Sequence, residues 1–232
     1  LYDIIFIKDS KINNMLQIAF HPNYIYPVPE GHRFPMLKYQ LLPQRLLENN
    51  IATKSNFFEP NVFEDGTYAE AHSIEYIEAI KNGRLSDKEM RAIGFKYSPE
   101  LIEREMTIAS GTIAGALWAL DNQTISMNIA GGTHHAYTNK GEGFCILNDQ
   151  AIAAKLLVNH GYVKRVAIID LDVHQGNGTA QICANDERIF TFSMHGAKNY
   201  PFKKEKSDWD IGLENGTTDA TYLNTLKYAL NK

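Results

Sequence analysis

Hydrophobic and polar positions along the chain follow two periods. Largely apolar runs at 2–7 (YDIIFI), 165–171 (RVAIIDL) and 189–194 (IFTFSM) read as buried strands, and 126–130 reads as a shorter one. The β-branched run at 165–171 predicts a central parallel strand covered on both faces. Apolar residues recur at helical spacing over 36–49, where Pro43 is a possible kink, and over 68–82. The clearest helix is SPELIEREMTIASGTIAGALWAL. Ser98 suits the N-cap and Pro99 the first helical position, and an apolar tail rich in small residues predicts burial across a sheet. Further helices are predicted over 149–159 behind an Asn148 cap, over 178–184, and at the C-terminal end behind Thr217 or Thr218. PNYIYPVPEGHRFP, with four prolines, is an extended loop.

Strands alternating with helices predict an α/β fold, three layers (α/β/α) around a mainly parallel sheet, as a single domain over 1–232. No repeat, low-complexity tract or linker divides it. Ligands in such folds gather beyond the C-terminal ends of the strands. Three stretches fall there: IAGGTHHAYTNKGEGFCILND, DLDVHQGNGT and SMHGAKNYP.

Composition narrows the reading. At 232 residues and 44% hydrophobic the chain can build a sizeable core, which excludes a disordered protein. A net charge of −4 and the lack of a basic block exclude direct nucleic-acid binding as a main role. The two cysteines, Cys145 and Cys183, are too few for a disulfide framework and predict free thiols in a reducing, cytoplasmic setting. No apolar run reaches 18 residues and the first residues do not read as a signal peptide, so no membrane association is expected. The chain starts without Met and stops within a helical pattern, so both ends are expected to be cut ends.

The candidate chemistry begins with His134 and His135. Adjacent side chains diverge on regular structure, but on a loop bounded by Gly131, Gly132, Gly141 and Gly143 both rings can turn to one point. The plainer alternative is a pair of surface histidines. Asp170, Asp172 and His174 are spaced by two; on a strand extended to its end all three leave one face and suit a divalent metal. The competing reading is that they end a strand and cap the next turn. Combined, the loops offer a metal to polarise a carbonyl and imidazoles to move a proton, with Asp170 and Asn177 available to orient the rings.

These blocks resemble the zinc-dependent histone deacetylase superfamily, the arginase/deacetylase fold, along nearly the whole chain. The N-terminal half, with HPNYIYPVPEGHRFPMLKY, is most similar to the class IV branch and to bacterial acetoin-utilisation and deacetylase proteins. The resemblance implies a zinc-dependent amidohydrolase that removes an acyl group from N-acyl-lysine or a similar acylated amine. It implies Asp172 and His174 as two of three zinc ligands, His135 as general base and His134 as its electrostatic or proton-donating partner. It further implies that Asp170 pairs with His134 and, with Ser193 and Met194, holds a structural monovalent cation, usually potassium. Gly143, Phe144 and Tyr200 match the walls of a narrow substrate tunnel, and Asn177 stands where other branches carry Asp.

The resemblance also implies a third zinc ligand, an Asp, and a transition-state tyrosine in a Gly-Gly-Tyr loop. Neither block occurs in this chain, and Asp208, Asp210 and Asp219 do not match them. A domain truncated at its C-terminus, poorly active by itself, is therefore expected. Two other functions compete: an arginase-like ureohydrolase with two metal ions, and a non-catalytic module that keeps the pocket. Gln175 and Gly176 after His174 favour one zinc over two metals. Outside these blocks, His72 with Tyr76 reads as structural, His195 as a packing or hydrogen-bonding residue, and His160 as a partner of helix-end carbonyls. Arg33, after His32, is a candidate for lining an internal channel.

Overall fold

The computed structural model describes residues 16–232, and the strand expected at 2–7 lies outside them. Strands β1 (Leu16–Ala19), β2 (Phe57–Phe58) and β3 (Ile125–Asn128) form one parallel sheet in the order β2-β1-β3. Strands β4 (Val166–Asp170), β5 (Ile189–Gly196) and β6 (Trp209–Leu213) form a second, also parallel, in the order β4-β5-β6. The helices are α1 (Lys38–Glu48), α2 (Asp65–Tyr68), α3 (Ile74–Lys81), α4 (Asp87–Ile93), α5 (Pro99–Asn122), α6 (Asp149–Asn159), α7 (Asn177–Cys183) and α8 (Asp219–Leu230).

One helical layer serves both sheets. Helix α5 packs on β1 and β3, α6 on β4 and α7 on β5, while α5 and α7 both lie against α6. On β5, side chains alternate between faces: Phe192 and Met194 turn away from Thr191 and Ser193 and meet Trp209, Leu226 and Ala229 under α8. Helices thus flank strands on both sides, giving the three layers. The main core lies between the first layer and the sheets, built on Ile18, Ile108, Ile113, Leu147 and Ile152.

Several expectations change. The covered central strand is β5; β4 lies at the edge of its sheet and Ile169 on it is 46% exposed. A β-branched run marks a strand but not its place in the sheet. Helix α1 continues through a buried Pro43. The helix expected over 68–82 begins only at Ile74, because residues 69–72 form turns and Ser73 Oγ, accepting from Tyr76 N at 3.2 Å, caps α3 there. In α5 Ser98 caps as expected, accepting from Leu101 N at 3.2 Å, but burial is concentrated in its first two thirds and Leu120 near its end is exposed. Among the described residues no helix is long and apolar enough to cross a membrane.

Candidate active site

The loop after β3 is tied down before it reaches the histidines. Asp149, the first residue of α6, accepts from Gly132 N (3.1 Å), Thr133 N (2.8 Å), Thr133 Oγ1 (2.7 Å) and Thr112 Oγ1 (2.5 Å). Gly132 at φ +88° and Gly143 at φ +59° supply the backbone turns. His134 and His135 then lie with ring centroids 4.1 Å apart, both buried. They are not surface histidines.

Each ring has the partner expected of it. His134 Nδ1 lies 2.5 Å from Asp170 Oδ2, at the end of β4, and His135 Nδ1 lies 2.7 Å from Asn177 Oδ1, at the start of α7. Burial depresses the pKa of both rings, but their surroundings separate them. The hydrogen bond and charge of Asp170, with the charges of Asp172 and Asp149, more than offset burial and raise His134. His135 has only a neutral amide; burial, the His134 charge and His174 lower it to about 4. The two adjacent rings are thus pushed in opposite directions, His134 toward the protonated form and His135 toward the neutral one.

The Asp170–His174 segment combines both readings of its spacing. Asp170 Oδ1 accepts from Asp172 N at 2.9 Å and Asp172 Oδ1 from His174 N at 2.7 Å, so the carboxylates cap successive turns and the chain does not stay extended. Asp170 is thereby buried, while Asp172 and His174 open into a cavity of about 580 Å³ that His134 and His135 also line. Gly143, Phe144 and Tyr200 line it too, with the Tyr200 ring 5.0 Å from His135 and 6.1 Å from His174, and Arg33 lies at the same cavity. Phe202, 91% exposed, stands at its rim.

Asp172 Oδ1 and His174 Nδ1 are 3.0 Å apart, near the separation of about 3.3 Å between neighbouring ligands of a tetrahedral zinc. The donor types suit zinc. In number they fall short: no group of three or more His, Cys, Asp or Glu able to hold a metal occurs among the described residues, and catalytic zinc uses three protein ligands. Asp208 and Asp210 are engaged elsewhere, Asp208 with Thr191 N and Oγ1 at 2.8 Å and Asp210 with Gln175 Nε2 at 2.8 Å. Asp170 and Ser193, paired across β4 and β5, line a separate cavity of about 10 Å³ with Thr191 and Ser207. The Met194 side chain points to the opposite face, into the core under α8, which leaves only its main chain on the Ser193 side of the strand.

Of the other histidines, His72 is structural, its Nδ1 donating to Tyr137 O and its Nε2 accepting from Asn148 N, both at 2.9 Å. His195 hydrogen-bonds Ser193 Oγ at 2.9 Å. His160 meets Glu70 Oε1 at 2.9 Å rather than helix-end carbonyls, because α6 ends beside that carboxylate. Both cysteines are free and buried. Two polar residues with partners at the site carry no expectation from sequence, Asp149 and Glu142, which joins Asn177 to Tyr200; Gln175, noted above only as a non-carboxylate, bonds Glu205 and Asp210. Asp149 carried a signal, since it closes the ILND end of the histidine motif.

The sequence model of the histone deacetylase domain matches residues 32–232. An uncharacterized protein of Picosynechococcus sp. (strain ATCC 27264 / PCC 7002 / PR-6) is 42% identical over 213 residues, which cover 92% of this chain and 71% of that protein. The acetoin utilization protein AcuC of Staphylococcus aureus (strain MSSA476) is 29% identical over 236 residues. A crystal structure of an HDAC homolog from Aquifex aeolicus superposes with a TM-score of 0.79 at 20% identity, covering 94% of this chain. An HDAC homolog complexed with SAHA superposes equally well, at 21% identity. The chain spans 58% of the length of AcuC and 64% of the Aquifex aeolicus chain. The fold is that of the histone deacetylases, and the chain belongs to the histone deacetylase domain family.

Proposed function

We propose that the protein carrying this chain is a zinc-dependent amidohydrolase that removes an acyl group, acetyl in the simplest case, from N-acyl-lysine or a similar acylated amine. The observation that carries the reading is the pair of adjacent imidazoles, one hydrogen-bonded to a carboxylate and the other to a neutral amide, facing one cavity with Asp172 and His174. Two groups whose surroundings push their pKa values apart are the arrangement acid–base hydrolysis needs.

Asp172 and His174 would hold zinc as two of its ligands, and the ion would supply Lewis-acid polarisation of an acyl carbonyl. The chain's own residues move the proton. His135, neutral and bonded through Nδ1 to Asn177, has Nε2 available to take a proton from water attacking the acyl carbon, and then to give it to the leaving amine. His134, paired with Asp170 and held above its ordinary pKa, favours negative charge developing on the carbonyl oxygen. Gly143, Phe144 and Tyr200 wall the approach, which favours a slender side chain. The small cavity at Asp170 and Ser193 supports a monovalent cation that holds Asp170 in place.

The test is an acyl-group and amine panel on the full-length protein, with metal content measured and a hydroxamate as control. One zinc per chain and hydrolysis of acylated amines are expected, and His135→Ala should lower kcat/KM about 10²–10⁴-fold without altering the fold by circular dichroism. Two metal ions with hydrolysis of a guanidino substrate would move the protein to the arginase-like branch. Metal-replete protein that binds acylated amines and hydrolyses none would make it a binding module.

A further inference from the structure

Glu142 is a carboxylate that the chemistry above leaves unused. Its Oε1 accepts from Asn177 Nδ2 at 2.7 Å and from the Tyr200 hydroxyl at 2.6 Å, and its Oε2 accepts from Lys140 Nζ at 2.9 Å. Burial works to raise its pKa, but the hydrogen bonds from Tyr200, Lys140 and Asn177 outweigh it and hold Glu142 below the ordinary glutamate value. Asn177 in turn accepts from His135 Nδ1. Glu142, Asn177 and His135 therefore form one chain ending at the cavity.

A primary amide has two ends of nearly equal size and opposite hydrogen-bonding character, so shape alone does not orient it. A carboxylate has no proton to give. Facing Glu142, Asn177 must present its NH2, which turns its carbonyl to His135. A carbonyl only accepts, so the imidazole proton must sit on Nδ1 and Nε2 keeps its lone pair. Tyr137 favours the same orientation more weakly: its hydroxyl accepts from Asn177 Nδ2 at 2.9 Å while donating to Glu205 at 3.3 Å, and a hydroxyl can rotate to donate instead. Glu142 has no such alternative.

We propose that Glu142 is a positioning residue that fixes the tautomer of His135, by locking the Asn177 amide in the one orientation that leaves Nε2 free. The consequence for catalysis rests on His135 being the base of the reaction proposed above; the tautomer itself does not.

The experiment compares wild type, E142Q, Y200F and the double variant E142Q/N177D in the full-length protein. Nitrogen NMR of labelled histidines is read near neutral pH, with His135 assigned by the signal lost in His135→Phe. Wild type should show Nδ1 protonated. In E142Q the new amide oxygen is drawn to Lys140 and its NH2 faces Asn177, which then flips, so the proton moves to Nε2 in part or in full. In the double variant the new carboxylate at 177 accepts in either orientation and restores the Nδ1 proton. Y200F cuts only the Tyr200 branch and should keep the wild-type tautomer. The kcat of E142Q should fall about 10-fold or more and recover in the double variant. An unchanged His135 tautomer in E142Q, or a shift that the double variant does not reverse, would overturn the proposal. A protein with the expected tautomers that hydrolyses no acylated amine would instead sink the functional reading alone.

Discussion

At Gly143 a methyl group would stand 2.7 Å from His135 Cδ2, at a backbone φ of +59° that L-residues rarely adopt. Gly143→Ala should therefore cost about 1–2 kcal/mol from the backbone, a fall of about 2–8 °C in Tm by calorimetry. Because the ring that must yield is the proposed base, kcat should fall by more than the stability loss explains, on the order of 10²-fold, with KM much less affected. Wild-type kcat and Tm in this variant would show that the loop is free to shift and does not set the ring. The histidine pair and its partners were legible in sequence because motif and spacing mark them. Glu142 was not: between glycines and near Lys140 it reads as a solvated loop charge. Its partners Asn177 and Tyr200 lie 35 and 58 residues further on, and only the fold brings them to it.

Helix α6 shows what local signals decide and what they leave open. Asn148 caps it, accepting from Ala151 N at 3.0 Å, but the same side chain donates to Ala136 O at 3.1 Å and Thr179 Oγ1 at 3.0 Å. It thus ties the start of α6 to the residue after His135 and to α7. Asn148→Ala should cost about 2–4 kcal/mol in urea unfolding, roughly 1 for the cap and the rest for the polar groups left buried without partners. A loss under 1 kcal/mol would mean that water replaces the amide. The bounds of α5 and α6 followed from Ser98, Pro99 and Asn148, since caps are local chemistry. Helix α4 had an equally local signal, the Ser86–Glu89 capping box, which its polar sequence obscured. Strands β1, β2 and β6 have 4, 2 and 5 residues and lack a β-branched run like that of β4, so pairing rather than pattern makes them strands.

For the whole molecule the sequence carried the parallel α/β class and the layers, but not the division of the strands into two sheets, which depends on which edges meet. Buried histidines give the assembly a pH dependence that can be signed in advance. His72 joins the loop that follows the histidine pair to the start of α6, donating from Nδ1 and accepting at Nε2, so only the neutral ring fits. Burial lowers its pKa from 6.5 to about 4, against the opposing hydrogen bonds to Tyr137 and Thr138. The unfolded chain therefore takes up this proton first as the solution is acidified. Its contribution is fully present above about pH 6.5 and declines as pH falls toward 4, by roughly 2 kcal/mol at pH 5. His135, also held near 4, acts in the same direction. His134 acts oppositely: its raised pKa stabilises the fold below 6.5, and that contribution is lost as pH rises through the folded value. Three depressed histidines, with His195 lowered by burial as well, against one raised one predict a net loss of stability on acidification. Urea unfolding of metal-free protein between pH 7.5 and 5 should show the midpoint falling while the m-value holds. His72→Gln can still donate to Tyr137 O and accept from Asn148 N without titrating, so it should remove about one proton from the slope. The same slope in both proteins would mean that His72 takes up its proton within the folded state, and that the bond from Asn148 is not what holds this loop to α6.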